Sequence, residues 1–311
     1  MGGGTPILEA ARLGLRQHPL TALHRRRMIA PLMNLDEYRR ASHEIWEAMA
    51  PGWERGRAFI WDVTRAVGER MVAALDPKPG ETVLELAAGT GETGFAAARM
   101  VGSNGKLFST DFSPAMVDAA RRRGSELGLE NVDYRVLDAE RMDLPDASID
   151  GVLCRYGYML MGDPAAALAE TRRVLKPGGR LSFAVVGAPD RNPWAAVPGR
   201  VLVELGHAPP TGPGAPGIFA MADEARIREL LAAAGFDPPW VEEVEVVWSF
   251  GDDEELWRFV TEVAGGIALV IRGIPEKEQL RVRSEVERAS EPLRSNGGYD
   301  MPGLTLNVLA Q

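Results

Sequence analysis

The chain has 311 residues, of which 45% are hydrophobic and 25% are charged, a composition typical of a globular protein. Its net charge of −9 argues against broad binding to nucleic-acid phosphates, and its single cysteine, Cys154, excludes an internal disulfide framework or a cysteine-cluster metal site. Because no apolar stretch approaches the length of a membrane span and no secretory signal is evident, we expect a cytoplasmic protein with no metal, no nucleic-acid partner and no stable membrane insertion.

Residues 1–32 form a basic N-terminal extension whose only acid is Glu9. Weak helical periodicity would allow a basic helix on a membrane surface or a partner. Pro6, Pro19 and several glycines favour instead a poorly ordered tail or an overextended start. We therefore place the folded domain at residues 33–311.

Two helices are predicted ahead of the first strand. Residues 36–50 and residues 55–75 both carry apolar side chains at helical spacing. Pro51 and Gly52 separate them, because proline removes a backbone donor and glycine is a poor helix former.

Residues 81–94 carry the most informative pattern in the chain. The apolar run at 83–86 is typical of a strand covered on both faces, and a helix of good formers follows Gly91. The motif Gly89-x-Gly91-x-x-Gly94 therefore lies on a strand-to-helix turn, where the backbone can approach a ligand and the helix N-terminus faces an anion. The motif fits the dinucleotide-binding fingerprint, although glycines that only form a turn would give the same letters.

Three acidic positions add to this pattern. Glu85 lies inside the first strand, where a carboxylate is costly to bury without a partner. Asp111 ends the next apolar run, about twenty residues past the glycines, where an acid can accept both ribose hydroxyls. Asp138-Ala139 ends a third run, where an aspartate could accept the exocyclic amine of an adenine.

Strands and helices alternate along the rest of the core, which predicts an α/β fold. Further strands are expected at residues 132–137, 149–153, 180–186, 241–247 and 304–309. Further helices are expected at residues 113–128, 165–175, 192–205, 223–234, 253–263 and 275–293.

The set Glu85-x-x-x-Gly89-x-Gly91, followed by Asp111 and Asp138, resembles the class I S-adenosylmethionine-dependent methyltransferases. Within that class the core is similar to the ubiquinone/menaquinone-biosynthesis C-methyltransferases and their small-molecule relatives.

The resemblance covers about residues 36–187, and the run at 173–181 is similar to the turn that precedes the fifth strand in this family. It implies a Rossmann-like, doubly wound, mostly parallel seven-stranded sheet whose antiparallel last strand lies beside the fifth. Residues 33–76 and 190–293 would form a helical cap. The cap helices depart from those of the quinone enzymes.

The same resemblance implies S-adenosyl-L-methionine as the cofactor. The glycine turn would hold its methionine end, Asp111 its ribose and Asp138 its adenine amine. Glu85 would lie near the ammonium group, the alternative being a salt bridge or a structural hydrogen bond under the sheet. The predicted cofactor-binding residues are Glu85, Ala87, Gly89, Thr90, Gly91, Asp111, Phe112, Met116, Asp138, Ala139 and Arg155.

No side chain stands out as a catalytic base. His43 and His207 lie in the predicted cap and Tyr156 follows the fourth strand, so these three are the catalytic candidates. Around Cys154 the chain lacks both the Pro-Cys nucleophile and the Asn/Asp-Pro-Pro-aromatic motif of nucleic-acid methyltransferases. We therefore predict O- or C-methylation of a small apolar or aromatic molecule, quinone-like or a secondary metabolite.

Two other functions stay open at this point. The glycine motif would also suit an NAD(P)-dependent oxidoreductase, and the cofactor pocket could belong to a non-catalytic S-adenosylmethionine-binding subunit. A set of aromatic residues in the cap is expected to close over the carboxyl ends of the strands: Trp46, Trp53, Trp61, Trp194, Phe219, Trp248 and Trp257.

Overall fold

The computed structural model describes residues 34–210 and 215–311. The predicted basic extension, residues 1–32, lies outside the described residues.

A single long helix, α1 (Leu35–Leu75), precedes the sheet. The prediction of two helices separated by Pro51 was wrong, since the proline lies inside the helix. An internal proline removes one backbone hydrogen bond and crowds the carbonyl four residues earlier, and packing along both halves of the helix outweighs that local cost. Gly52 allows a close approach here, because a Cβ at this position would overlap the carbonyl oxygen of Glu262.

The remaining elements alternate much as expected. In chain order they are β1 (Thr82–Glu85), α2 (Glu92–Val101), β2 (Lys106–Asp111), α3 (Pro114–Glu126), β3 (Val132–Val136), β4 (Ile149–Arg155), α4 (Pro164–Val174), β5 (Leu175–Val186), α5 (Pro193–Glu204), α6 (Glu224–Ala233), β6 (Trp240–Phe250), α7 (Asp253–Glu262), α8 (Gly266–Gly273), α9 (Glu276–Ser290), β7 (Arg294–Ser295) and β8 (Gly298–Ala310). Helix α8 and the short β7 were not predicted, and β5, β6 and β8 are longer than predicted; β5 already begins at Leu175, where a helix end and a turn were expected.

In the described part of the chain, seven strands follow one another in the order β3-β2-β1-β4-β5-β8-β6, and the short β7 pairs with β8. Strands β1 to β5 pair in parallel, whereas β8 is antiparallel to both β5 and β6. The predicted Rossmann-like α/β class, with an antiparallel last strand beside the fifth, is confirmed. The chain order reverses between β1 and β4, and ligands of open α/β sheets bind at such a reversal, outside the carboxyl ends of the strands.

Strands β6 and β8 continue as a two-stranded arm beyond the carboxyl end of β5. The pairing of β5 with β8 ends at Val186 and Thr305, but that of β6 with β8 runs on to Phe250 and Tyr299. The cap helices pack on this arm through an aromatic cluster of Phe59, Trp194, Trp248, Phe250 and Phe259, whose ring centroids lie 4.3–6.2 Å apart.

The aromatic residues of the cap therefore divide between two settings. Trp194 stacks on Trp248, and Trp53 packs edge-on against Trp46 while its indole nitrogen donates to the carbonyl of Val263. These contacts hold the cap together. Trp61 differs, because it lies beside Arg155 at the end of β4.

Candidate active site

The glycine turn between β1 and α2 adopts the backbone conformation expected for its glycines. Gly89 and Gly91 have φ values of 54° and 87°, in the left-handed region that favours glycine. A Cβ at Gly91 would overlap the ring of Phe95, whereas a Cβ at Gly89 would meet no heavy atom within 4 Å. Ala87 also has a positive φ, 49°, and backbone strain of this kind is often stored at functional sites.

The carboxyl of Glu85 lies beneath the first turn of α2. It is 2% exposed, and one of its oxygens accepts a 2.7 Å hydrogen bond from the backbone N–H of Gly94. Its other oxygen has no hydrogen-bond partner among the described residues. Burial raises the pKa of Glu85 to about 8, since removal from water disfavours the charged form. This geometry matches the structural hydrogen bond considered above, and a direct contact with the cofactor stays a prediction.

Asp111 links the end of β2 to the glycine turn. Its two oxygens accept 3.0 Å hydrogen bonds from the backbone N–H groups of Gly89 and Ser113. The side chain is 6% exposed, and burial raises its pKa to about 6 although these N–H groups oppose the shift. Each carboxylate oxygen can accept a second hydrogen bond, so Asp111 retains acceptor capacity for a ligand.

The residues predicted to surround an adenine lie at the adjoining ends of β2 and β3. Met116 and Ala139 are buried, and Phe112 is half-buried. Asp138 is exposed and accepts from the backbone N–H of Glu140 at 2.9 Å. His43 packs edge-on against Phe112 at 5.5 Å, so this catalytic candidate lies on the predicted adenine side.

The first half of α1 crosses the carboxyl ends of the strands and is tied to them by hydrogen bonds. Glu47 accepts from the hydroxyl of Ser113 at 2.6 Å, at the start of α3. On the other side of the crevice that lies at the carboxyl ends of the strands, Arg39 donates to Glu140 at 2.8 Å and Tyr38 donates to the carbonyl of Leu160 at 2.8 Å. Burial raises the pKa of Tyr38 to about 12.

These contact residues of α1 were missed by the sequence reasoning. Their partners lie 66 to 122 positions away in the sequence, and a short sequence motif cannot predict a contact over that separation. The only available signal was the helical spacing of α1 itself.

Arg155 and Tyr156 follow one another at the carboxyl end of β4. Arg155 donates from Nε to the hydroxyl of Thr93 at 2.9 Å and from Nη1 to that of Thr64 at 2.8 Å. Tyr156 has a φ of 59° and shares a 2.8 Å hydrogen bond with the hydroxyl of Thr305. Burial lowers the pKa of Arg155 and raises that of Tyr156.

His207 lies apart from the other two catalytic candidates. It follows α5, a helix of twelve residues and so roughly 18 Å long, which begins seven residues after β5 ends. Its Nε2 lies 3.3 Å from a carboxylate oxygen of Glu278 on α9, close enough for an ion pair when protonated but without hydrogen-bond geometry. The structure therefore places His207 between two cap helices.

Residues 34–210 and 215–311 hold no group of three or more histidine, cysteine, aspartate or glutamate side chains able to bind a metal ion together. None of their helices combines the length and the apolar character that crossing a bilayer would require.

The strand order, the left-handed glycine turn and the buried acid at the end of β2 define a Rossmann-like nucleotide-binding domain. The profile of a methyltransferase-domain family matches residues 77–198. The chain is 33% identical over 174 residues to the ubiquinone/menaquinone biosynthesis C-methyltransferase UbiE of Cupriavidus necator, a match covering 53% of this chain and 71% of that protein. The chain belongs to the class I S-adenosylmethionine-dependent methyltransferases, which confirms the predicted family and its cofactor.

Other relatives match over shorter shares of their length. The chain is 38% identical over 117 residues to aklanonic acid methyltransferase DauC of Streptomyces sp. (strain C5), covering 38% of this chain and 53% of DauC. It is 31% identical over 188 residues to nocamycin O-methyltransferase of Saccharothrix syringae, covering 58% of this chain and 65% of that enzyme. The chain thus spans about half the length of DauC.

Solved structures share the fold. The YcgJ protein of Bacillus subtilis superposes with a TM-score of 0.57 at 19% identity, covering 79% of this chain and 97% of that one. A putative methyltransferase from Bacillus halodurans gives a TM-score of 0.52 at 20% identity, covering 78% and 97% of the two chains.

Proposed function

We propose that this chain transfers the methyl group of S-adenosylmethionine to an oxygen or carbon atom of a small-molecule acceptor. The observation that carries the proposal is the Asp111 carboxylate, buried at the end of β2 and bonded to the N–H of Gly89 in a left-handed glycine turn. Relatives named for aklanonic acid, nocamycin and ubiquinone/menaquinone support an acceptor of this size. We also propose that residues 33–311 act as one catalytic unit in the cytoplasm.

The described residues fit the cofactor. The space next to Gly89 is open, and the neighbouring acid Asp111 has acceptor capacity left for ribose hydroxyls. Phe112 and Met116 would flank the adenine, and Asp138 would accept from its amine. Ala87, Thr90 and Gly91, in or beside the glycine turn, would adjoin the methionine end, as would Arg155.

When bound, the cofactor supplies a sulfonium methyl whose S–C bond breaks, with its electron pair left on sulfur, as the bond to the acceptor forms. The protein contributes position and the exclusion of water. Helix α1 covers the crevice through Glu47 and Arg39. Tyr156 does not serve as a base, because burial raises its pKa and so keeps its hydroxyl protonated, and this hydroxyl is engaged by Thr305; its contribution is to orient.

Calorimetric titration with S-adenosylmethionine and with NAD⁺ tests the cofactor assignment. We expect binding of the first and none of the second. Methyl transfer is then sought by mass spectrometry of a small-molecule extract incubated with the protein and cofactor, with heat-inactivated protein as the control. Binding of NAD⁺ alone would refute the proposal, and cofactor binding without any methylated product would favour a non-catalytic subunit.

A further inference from the structure

The positively charged guanidinium of Arg155 belongs to the last residue of β4. It has no anionic partner among the described residues. Its two hydrogen bonds go to the neutral hydroxyls of Thr93 and Thr64, both of which are buried. Within residues 34–210 and 215–311, it forms no ion pair, although most other arginines there do. Arg155 is partly exposed, and its guanidinium has five N–H donors, so those not bonded to Thr93 and Thr64 are left for an anionic ligand.

The acids nearest to Arg155 are committed elsewhere. Glu85 and Glu92 both act on its charge. Glu92 is shared by Arg57 at 2.7 Å and Arg123 at 3.0 Å. Glu85 has a pKa of about 8 and is therefore mostly protonated at pH 7, when it neutralises little.

Aromatic rings flank this charge, and the glycine turn adjoins it. The guanidinium carbon lies 5.8 Å from the ring centroid of Trp61 and 5.6 Å from the ring centroid of Tyr156. The turn after β4 is in close contact with the glycine turn, because a Cβ at Gly157 would lie 2.7 Å from the Cβ of Ala87. The site thus combines one cation with two apolar walls, next to the proposed position of the cofactor's methionine end.

We propose that Arg155 binds an oxyanion of the acceptor, so that the acceptor is an organic acid held between Trp61 and Tyr156. This inference rests on the proposed function and names its substrate class. An acceptor that arrives ionised needs no general base, which agrees with the raised pKa that keeps Tyr156 protonated at this site. A carboxylate has two oxygens, so one can pair with the planar guanidinium while the other is free to accept the methyl group.

A matched pair of probes tests the proposal. Binding of 2-naphthoate and of 2-naphthamide is measured by calorimetry on protein saturated with S-adenosylhomocysteine, together with melting by circular dichroism. We expect the wild type to bind the acid at least tenfold more tightly than the amide, and Arg155→Met to abolish this preference. Arg121→Met, which removes an exposed arginine paired with Asp118 within α3, is the control and should keep it.

Thr93→Val provides a second variant if Arg155→Met does not fold. It removes a hydroxyl that orients the guanidinium and should reduce the preference for the acid at least threefold. An unchanged preference in the folded variants, or equal binding of acid and amide by the wild type, would overturn the inference while leaving the proposed function intact.

The cofactor's own carboxylate is a second possible anion for Arg155. Binding of S-adenosylmethionine and of its decarboxylated form therefore has to be compared in the same proteins. A preference for the intact cofactor that disappears in Arg155→Met would assign the residue to the cofactor and overturn the acceptor role. Failure of the wild type to bind S-adenosylhomocysteine at all would instead refute the proposed function, and this inference with it.

Discussion

The nucleotide-binding half of the sheet and the cap are built on contacts of different range. In the nucleotide-binding half, the Asp111 carboxylate accepts a hydrogen bond from the N–H of Gly89, 22 positions away in the sequence. The Glu85 carboxyl accepts one from the N–H of Gly94, nine positions away. In the cap, Trp53 reaches Val263 over 210 positions. Short-range contacts leave a motif in the sequence, whereas long-range ones depend on how the whole chain packs. The first region should therefore respond sharply to single substitutions at its motif, and the cap more weakly to each of its many contacts.

The largest effect is expected from Gly91→Val. The new side chain would overlap the ring of Phe95 and would need a φ of 87°, which valine rarely adopts. We expect no measurable binding of S-adenosylhomocysteine by calorimetry, and a lower melting temperature. Gly80→Val is a matched control, because Gly80 has the same φ but no heavy atom near its Cβ position and lies ahead of β1. If both variants bound the ligand equally well, the glycine turn would not be the cofactor site.

Asp111→Ala should weaken cofactor binding by about 1.5–3 kcal/mol, the range for hydrogen bonds to a charged group. Asp111→Asn should lose less, since its amide keeps one acceptor for the N–H of Gly89. Calorimetry measures both variants against Asp118→Ala, an exposed acid on α3. Small and equal losses at all three positions would remove Asp111 from the binding site.

Glu85 makes the stability of the nucleotide-binding half dependent on pH. The folded-state pKa, about 8, is above the ordinary value of 4.5, so the folded protein holds a proton that the unfolded chain has lost between these values. The free energy of unfolding should therefore fall as pH rises from 5 to 8, by at most about 1.4 kcal/mol per pH unit from this group.

Glu85→Gln should flatten that dependence, because the amide does not titrate. Thermal unfolding followed by circular dichroism from pH 5 to pH 8.5 provides the measurement, with the exposed Glu126→Gln as control. A slope identical in the wild type and Glu85→Gln would mean that the carboxyl is already ionised in the folded protein.

The smallest effect is expected in the cap. Arg39→Met removes one ion pair between α1 and Glu140, whose carboxylate is 7% exposed and still accepts a hydrogen bond from the backbone N–H of Gly162. We expect a lower melting temperature but continued binding of S-adenosylhomocysteine, with a severalfold faster release in stopped-flow fluorescence. Arg65→Met removes an arginine paired with Asp62 within the same helix, and should leave the release rate unchanged. Equal release rates in the two variants would argue that α1 does not cover the ligand.

The sequence alone determined the alternating fold, the position of the glycine turn and the acid at the end of β2. Each depends on residues close together in the chain, whose spacing reflects the pleat of a strand or the turn of a helix. The predicted sheet order beside the fifth strand came from the family resemblance and was confirmed.

Only the tertiary structure decided how the cap is joined to this core. The local preference of Pro51 for ending a helix was overridden by packing along α1, which local signals do not record. The hydrogen-bond partners of the Arg155 guanidinium are Thr64 and Thr93, which lie on two separate helices. Neither partner could be predicted from the sequence next to Arg155. Side chains distant in sequence become neighbours only when the sheet and its helices are packed together.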